Sequence, residues 1–161
     1  MENTSSHTES DKEQLLDFMQ HLALVAGKKA LDMRADESCF SVERKNTPFD
    51  LVTTADKAVE KLIVSRIAQQ YPSHSIFGEE SGLCGGKSPY CWVIDPIDGT
   101  TSYVHGTPNY AVSIGLQKEG KGIAGVVYAP AFDELYSAAE GMGAFCNGKK
   151  IHVSDHDTLS E

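Results

Sequence analysis

Two aspartates stand just after an apolar run, and their spacing could let them hold a divalent cation. Asp95 and Asp98 belong to the string WVIDPIDGTT. Pro96 fixes its own φ and Gly99 allows a close backbone approach, so the two carboxylates can converge on one point. The carbonyl of Ile97 lies between them and could add a further oxygen. Such a donor set suits Mg²⁺, which prefers oxygen ligands and binds carboxylates together with substrate phosphate.

A second acidic pair, Glu79 and Glu80, follows another short apolar run at residues 75–78. Taken one at a time, each acidic pair can also be explained by turn capping and solvation. Two such pairs in an already acidic chain would repel each other unless a cation lies between them. Taken together, the two pairs predict a metal site.

The charge of the chain limits what the site can bind. The 161 residues include 14 Lys and Arg against 23 Asp and Glu, which gives a net charge of −9. This charge disfavours nucleic acid and anionic lipid surfaces as partners. An anionic substrate would therefore need a bound cation as mediator. If a short helix begins near Thr100, its free N–H groups would face a phosphate oxyanion.

Two other motifs are weaker than they look. The segment GLCGGKS at 82–88 lacks the first glycine of a phosphate-binding P-loop, because Ser81 occupies that position, and it is predicted to be a flexible loop. The segment HVSDH at 152–156 resembles an inverted zinc-protease motif but lies in a polar stretch. Neither segment predicts a phosphate or zinc site.

Two helices and a sheet must position the acidic residues. Apolar residues from Leu15 onward recur at steps of three and four, which predicts a first helix. Thr53 followed by Asp56 predicts a capping box at the start of a second helix, which ends at Tyr71 before Pro72. Residues 1–10 are polar and are predicted to form a disordered tail. Residues 11–161 are expected to form one domain.

The second half of the chain is predicted to be a sheet. Short β-rich runs occur at 75–78, 91–94, 111–116, 123–128, 135–138 and 144–146. The turn signals at 118–122 and 147–148 favour antiparallel neighbours. The fold class is therefore α+β, with two N-terminal helices packed on a mainly antiparallel sheet. The polar start and the lack of a long apolar run predict a cytoplasmic protein without a membrane partner.

Three segments resemble the inositol monophosphatase family in order and spacing. They are DLVTTAD at 50–56, GEES at 78–81 and DPIDGTT at 95–101. AVSIG at 111–115 and GAFCNG at 143–148 are also similar to that family, and the resemblance runs from about Lys45 to Val153. The wider group includes fructose bisphosphatases and nucleotide 3′-phosphatases. The resemblance implies the first half of the layered sugar-phosphatase fold.

The resemblance also implies a role for each matching residue. The implied Mg²⁺ ligands are Glu79, Asp95, Ile97 through its carbonyl, and Asp98. The implied catalytic residues are Asp56 and Thr100, which would orient and help to deprotonate the attacking water, and Glu79. The implied phosphate-binding residues are Gly99, Thr100 and Thr101. Glu80 would lie behind the ligands, and Lys45 matches a lysine of a mobile loop near the metal. Taken without the resemblance, Lys45 is better explained as an ordinary surface lysine.

The implied function is that of a Mg²⁺-dependent phosphomonoesterase. It would hydrolyse a small polyol phosphate, such as inositol 1-phosphate, with a metal-activated water. Members of the family continue for roughly 100 further residues, so residues 11–161 correspond to the N-terminal part of their domain. The alternative is a truncated, non-catalytic fragment or subunit that binds metal weakly and acts by association. A homodimer, or another association through an exposed sheet, is the partner expected in that case.

Overall fold

The computed structural model describes residues 9–36, 41–44, 51–85 and 87–155. Helices in these ranges are α1 (Glu9–Ala35), α2 (Thr54–Gln70) and α3 (Thr100–Val104). Among the described helices, none combines the length and apolar composition needed to cross a membrane.

α1 carries the apolar stripe that the sequence predicts. Its fully buried side chains recur at steps of one to four residues along one side of the helix. They are Leu16, Met19, Leu22, Ala23, Ala26 and Ala30. Leu15 and Phe18 pack against the margin of this core. The helix begins at Glu9, so residues 9 and 10, which the composition assigns to the tail, are helical.

α2 begins with the predicted capping box. The side chain of Thr53 accepts hydrogen bonds from the N–H groups of Ala55 and Asp56, and the carboxylate of Asp56 accepts one from the N–H of Thr53. The helix ends at its C-cap, Tyr71, next to the proline that predicts the stop. The carboxylate that stabilises the start of α2 is therefore the one for which the family resemblance implies a catalytic role.

Ten strands lie in the described ranges. They are β1 (Val42–Arg44), β2 (Leu51–Thr53), β3 (Ser75–Gly78), β4 (Gly82–Cys84), β5 (Tyr90–Asp98), β6 (Ala111–Lys118), β7 (Lys121–Ala129), β8 (Glu134–Ala139), β9 (Gly143–Cys146) and β10 (Lys149–Ile151). β1 pairs with β2, and the other eight form one sheet in the order β10-β9-β8-β7-β6-β5-β3-β4. Only β3 and β5 are parallel in this sheet. The predicted α+β fold is confirmed.

The sequence prediction of a flexible loop after Ser81 is wrong at its beginning. Gly82–Cys84 forms β4, which pairs antiparallel with β3 and places Gly82 opposite Gly78. Backbone hydrogen bonds to β3 are sufficient to hold this edge strand. Because such pairing does not require alternating apolar side chains, the sequence shows no strand pattern here. Glu79 and Glu80 therefore lie in a tight turn between β3 and β4.

The core lies between the helices and one face of the large sheet. α1 packs against β6, β7 and β8, and α2 packs against β5. Alternate residues of β5 and β6 point into this core and are buried, among them Trp92, Ile94, Val112, Ile114 and Leu116. This packing brings the start of α2 close to the end of β5. Thr100, two residues after the end of β5, contacts Asp56 of α2 there.

Candidate active site

Asp95 and Asp98 lie at the end of β5, where the strand contains a β-bulge. Asp95 pairs with Ser113 and Asp98 with Ala111, so β5 uses three residues where β6 uses two. Side chains alternate between the two faces of a regular strand, so residues three apart would point in opposite directions. The extra residue of a bulge removes that alternation. The bulge is therefore what allows the two carboxylates to approach each other.

Glu79 reaches the same place from the neighbouring strand. β3 runs parallel to β5, and Gly78 pairs with Ile94. The N–H of Glu79 donates to the carbonyl of Ile94 over 3.1 Å. Since Ile94 directly precedes Asp95, this bond places Glu79 beside Asp95. The two side chains are close enough to share a hydrogen bond.

The clustered carboxylates change the protonation of Asp95. Burial, followed by the charge of Glu79, a hydrogen bond with Glu79 and the charge of Asp98, raises the pKa of Asp95 to about 7. One oxygen of this carboxyl, Oδ1, is buried and has no hydrogen-bond partner among the described residues. Buried polar atoms are rarely left without a partner. Oδ1 of Asp95 therefore lacks a cation or hydrogen-bond donor beside it among the described residues.

The donor chemistry of this cluster fits a hard divalent cation. In the described ranges, no three His, Cys, Asp or Glu side chains are already arranged around one point as metal ligands. Asp95 and Glu79 instead form a hydrogen bond with each other, and the exposed Asp98 lies alongside. A cation would compete with the proton on Asp95, offset the repulsion between the carboxylates and engage the buried Oδ1. The oxygens that could hold it belong to Glu79, Asp95, Asp98 and the backbone of Ile97.

Asp56 is held rigidly at the start of α2. It is fully buried. Its Oδ2 accepts hydrogen bonds from the N–H of Thr53 over 2.7 Å and from the hydroxyl of Thr53 over 2.5 Å. Burial raises the pKa of Asp56, and the hydrogen bonds from Thr53 and Thr100 oppose that rise without cancelling it. Asp56 is therefore a fixed carboxylate with a stronger tendency to accept a proton than a solvated aspartate.

Thr100 connects Asp56 to the end of β5. Its hydroxyl oxygen lies 3.1 Å from Oδ1 of Asp56 and 3.0 Å from the carbonyl oxygen of Ile97. A hydroxyl carries one hydrogen, so it donates to one of these acceptors at a time and keeps lone pairs for another donor. Asp56, Thr100 and Ile97 thus form one continuous polar contact.

Gly99, Thr100 and Thr101 form the start of α3, so the short helix considered from the sequence near Thr100 is present. Gly99 is the N-cap, with a φ of 92°, and no side chain caps the helix there. The first N–H groups of a helix have no acceptor within it. Gly99 and Thr101 are exposed and Thr100 is half-buried. These groups are therefore placed at the surface next to the carboxylate cluster.

Two of the predicted site residues, Lys45 and Glu80, are not part of the carboxylate cluster that the structure describes. Lys45 lies outside the described residues, as does Asp50 of the first motif. Glu80 follows Glu79 in the turn between β3 and β4, and its N–H donates to Oε2 of Glu60 over 2.8 Å. Glu60 is not predicted from the sequence, although its position four residues after Asp56 places both residues on one face of α2.

A second group that the sequence does not reveal anchors α3. Nε of Arg34 donates to the carbonyl of Tyr103 over 2.8 Å, and the hydroxyl of the buried Tyr103 donates to the carbonyl of Ala30 over 2.8 Å. These bonds join the end of α1 to the helix that carries Thr100. The partners are 69 and 73 residues apart, so local patterns carry no signal for them.

Comparison with known proteins places this arrangement in a family. The family model described as "Inositol monophosphatase family" matches residues 11–161. Inositol monophosphatase 1 of Homo sapiens is 42% identical over 153 residues, which cover 92% of this chain and 54% of the human protein. The chain thus spans about half the length of the curated relatives it matches.

Two solved structures show the same fold. The inositol monophosphatase from Anabaena has a TM-score of 0.80 and 39% identity, over 94% of this chain and 54% of that one. The IMPase from Thermotoga maritima has a TM-score of 0.84 and 37% identity, over 92% of this chain and 57% of that one. Because the family model covers nearly all of the sequence, the chain belongs to the inositol monophosphatase family.

Proposed function

We propose that the chain carries the metal and water-activating residues of a Mg²⁺-dependent phosphomonoesterase that hydrolyses a small polyol phosphate. One observation carries the proposal: the half-buried Asp95 forms a side-chain hydrogen bond with Glu79, beside the end of β5 that contacts the pair of Thr100 and Asp56. The choice of inositol 1-phosphate as substrate rests on the names of the relatives. Membership of the family supports the reaction class.

Glu79, Asp95, Asp98 and the carbonyl of Ile97 would hold the Mg²⁺. When bound, such an ion lowers the pKa of water and stabilises charge that develops on the phosphoryl group. The carbonyl of Ile97 has two lone pairs and accepts from Thr100 with at most one of them. The hydrogen bond from Thr100 is therefore compatible with a ligand role for Ile97.

Thr100 and Asp56 would orient the water and receive its proton. Thr100 can donate its own hydrogen to Oδ1 of Asp56 and accept a hydrogen bond from a water at the same oxygen. Thr53 fixes the other oxygen of Asp56, so Oδ1 faces Thr100. The raised pKa of Asp56 makes it a better general base near neutral pH than a solvated carboxylate.

The N–H groups of Gly99, Thr100 and Thr101 would receive the phosphate oxygens. Helix N-termini favour anions through their free N–H groups and the helix dipole. The adjacent carboxylates repel a phosphate, so binding at this place depends on the cation. Lys45 remains a predicted contributor to the same region.

Phosphate release from inositol 1-phosphate tests the proposal. The assay uses the longest natural form of this protein with added Mg²⁺. We expect Mg²⁺-dependent turnover that falls by about 100-fold or more in Asp95→Asn, since loss of about 3 kcal/mol of transition-state stabilisation has that effect. Asp32→Asn, an exposed carboxylate on α1, serves as the matched control. Unchanged turnover in Asp95→Asn would show that the assignment is wrong.

A second candidate function is association without turnover, with only weak metal binding. Its support is a row of uncharged residues across the eight strands, on the sheet face opposite the buried Trp92 and Ile114. The row consists of Leu83, Phe77, Val93, Gly115, Gly125, Ala138, Ala144 and Ile151. Leu83 is 66% exposed and Phe77 is 47% exposed. Exposed apolar side chains grouped on one face are found at interaction sites.

Light scattering after size exclusion tests this candidate. Val127 lies on the same sheet face and is 39% exposed, as is Leu24 on α1. If the sheet face mediates a homodimer, Val127→Lys gives monomers and Leu24→Lys leaves the dimer intact. A wild-type chain that is monomeric and binds no hydrophobic dye would eliminate this candidate.

A further inference from the structure

Glu60 is a buried acidic residue with a specific backbone partner. Its side chain points from α2 toward the turn between β3 and β4, and only 3% of the residue is exposed. Its Oε2 accepts the N–H of Glu80 over 2.8 Å. Buried carboxylates are rare unless they are hydrogen-bonded or paired, so this contact accounts for the position of the side chain.

The turn that carries Glu79 is held from both sides. The N–H of Glu79 donates to the carbonyl of Ile94 on β5, and the next N–H along the chain, that of Glu80, donates to Glu60 on α2. Two consecutive peptide groups are thus fixed to two different elements. These two bonds fix the backbone on both sides of the Glu79 Cα, from which the side chain extends to its hydrogen bond with Asp95.

Gly78 shows how closely Glu60 fits against the turn. A Cβ atom at Gly78 would lie 2.5 Å from Oε2 of Glu60 and 2.6 Å from its Cδ. Any side chain at residue 78 would therefore push the Glu60 carboxylate away from the N–H of Glu80. The close approach of the carboxylate therefore favours glycine at this position.

Glu60 also lies one helical turn after Asp56. The two residues share a face of α2, so one rigid helix contacts both halves of the candidate site. Asp56 is joined to Thr100, and Glu60 is joined to the turn beside Glu79.

We infer that Glu60 is a positioning residue for the metal site, which holds the β3–β4 turn so that the Glu79 carboxylate faces Asp95. The inference rests on the metal site proposed above. Glu60 acts through its hydrogen-bond acceptor, and it contacts neither the cation nor the substrate. Residues that support metal ligands in this way change metal affinity by about 10–100-fold when they are lost.

Two variants of Glu60 separate hydrogen bonding from charge. Glu60→Gln keeps an oxygen acceptor and removes the negative charge, whereas Glu60→Ala removes both. Two quantities are measured: Mg²⁺ affinity by calorimetry, and hydrogen exchange of the Glu80 amide in metal-free protein. We expect Glu60→Ala to weaken Mg²⁺ binding by about tenfold or more and to lose protection of the Glu80 amide. Glu60→Gln keeps both within about threefold of the wild type, since its amide oxygen can accept the same bond.

A control variant shows whether a general loss of stability alone weakens Mg²⁺ binding or exposes the Glu80 amide. Ile63→Val removes a methylene from a fully buried residue of the same helix, and it serves as the control for lost packing. It should leave the Mg²⁺ affinity and the protection of the Glu80 amide unchanged.

Gly78→Ala gives an independent approach if Glu60→Ala does not fold. It should reproduce the weaker Mg²⁺ binding by displacing the carboxylate. If Glu60→Ala does fold, Gly78→Ala should have no further effect on Mg²⁺ binding in that background. Gly122→Ala, where a Cβ meets no atom within 4 Å, is the matched glycine control.

The outcomes distinguish this inference from the proposed function. If the wild type binds Mg²⁺ and Glu60→Ala and Gly78→Ala bind it equally well, the positioning role is wrong and the metal site stands. If Glu60→Gln behaves like Glu60→Ala, charge and not the acceptor is required, and the inference is overturned. If the wild type binds no Mg²⁺ while the Glu80 amide is protected, the metal site itself is wrong and the positioning role falls with it.

Discussion

The hydroxyl of Thr100 lies 3.1 Å from Oδ1 of Asp56, although 44 positions separate the two residues in the chain. Asp56 belongs to the first turn of α2, and Thr100 begins α3 directly after β5. The contact therefore joins the start of a helix in the first half of the fold to the end of a strand in the sheet. A proton held between the two residues would lie next to the carbonyl of Ile97, which also faces the Thr100 hydroxyl.

Replacing Thr100 tests whether this contact takes part in catalysis. Thr100→Ala removes the hydroxyl, and we expect kcat for phosphate release to fall by about 100-fold, within the range typical of a lost proton-transfer group. Thr100→Ser keeps the hydroxyl and should retain most of the activity. Equal turnover in Thr100→Ala and wild type would contradict a role in orienting water.

Thr53 stabilises both the start of α2 and the Asp56 carboxylate. Thr53→Ala removes the N-cap oxygen and should lower the free energy of unfolding by about 0.5–2 kcal/mol. Thr53→Ser keeps the hydroxyl and should lose less. Chemical denaturation monitored by circular dichroism measures the difference. If Thr53→Ala and Thr53→Ser destabilise the protein equally, the capping hydrogen bonds do not account for the loss of stability.

Gly99 combines a backbone requirement with a steric one. Its φ is 92°, and a Cβ there would lie 2.7 Å from the carbonyl oxygen of Asn109. Gly120 also has a positive φ, of 81°, but a Cβ there meets no atom within 4 Å. Backbone strain alone costs about 1–3 kcal/mol, so Gly120→Ala should lose about that much stability and Gly99→Ala should lose more. Equal losses by thermal unfolding would show that the contact with Asn109 is unimportant.

The metal-free chain should lose stability as pH rises through the titration of Asp95. Its pKa is raised to about 7, against a reference value of 3.8, so the folded chain binds the proton more tightly than the unfolded chain. The contribution to stability is complete below about pH 4 and disappears as the pH rises through about 7. Asp95→Asn should remove this component.

Denaturation in the presence of a chelator measures that component. The stability of Asp95→Asn relative to wild type should increase from pH 4 to pH 7 and then level off. Saturating Mg²⁺ should stabilise the wild type increasingly over the same range, because protons and Mg²⁺ compete for the carboxylate. A stability difference that does not change with pH would contradict the raised pKa.

The helices and six of the strands could be predicted from the sequence because their signals are local. Thr53 and Asp56 stand three apart as a capping box requires, and the apolar residues of each helix recur with helical spacing. The candidate site residues could be named for a related reason. Their acidic side chains follow apolar runs directly, in strings that resemble a known family.

The spatial arrangement of these residues could not be predicted from local sequence patterns. The bulge between Asp95 and Asp98 depends on how β5 pairs with β6, and the position of Glu79 depends on parallel pairing with β3. The role of Glu60 depends on a contact 20 residues away, with the N–H of Glu80. Strand pairing and packing between distant segments decide these features, and neither leaves a periodic pattern in the chain.

The central claim is that the carboxylates at the end of β5 form a Mg²⁺ site, and calorimetric titration of Mg²⁺ tests it most directly. The wild type and Asp95→Asn are titrated at about pH 8, where Asp95 is mostly ionised, with Asp32→Asn as the control. We predict that the wild type and Asp32→Asn bind Mg²⁺ with equal affinity and that Asp95→Asn binds it at least about 10–100-fold more weakly. Equal Mg²⁺ affinity in the wild type and Asp95→Asn would contradict the claim.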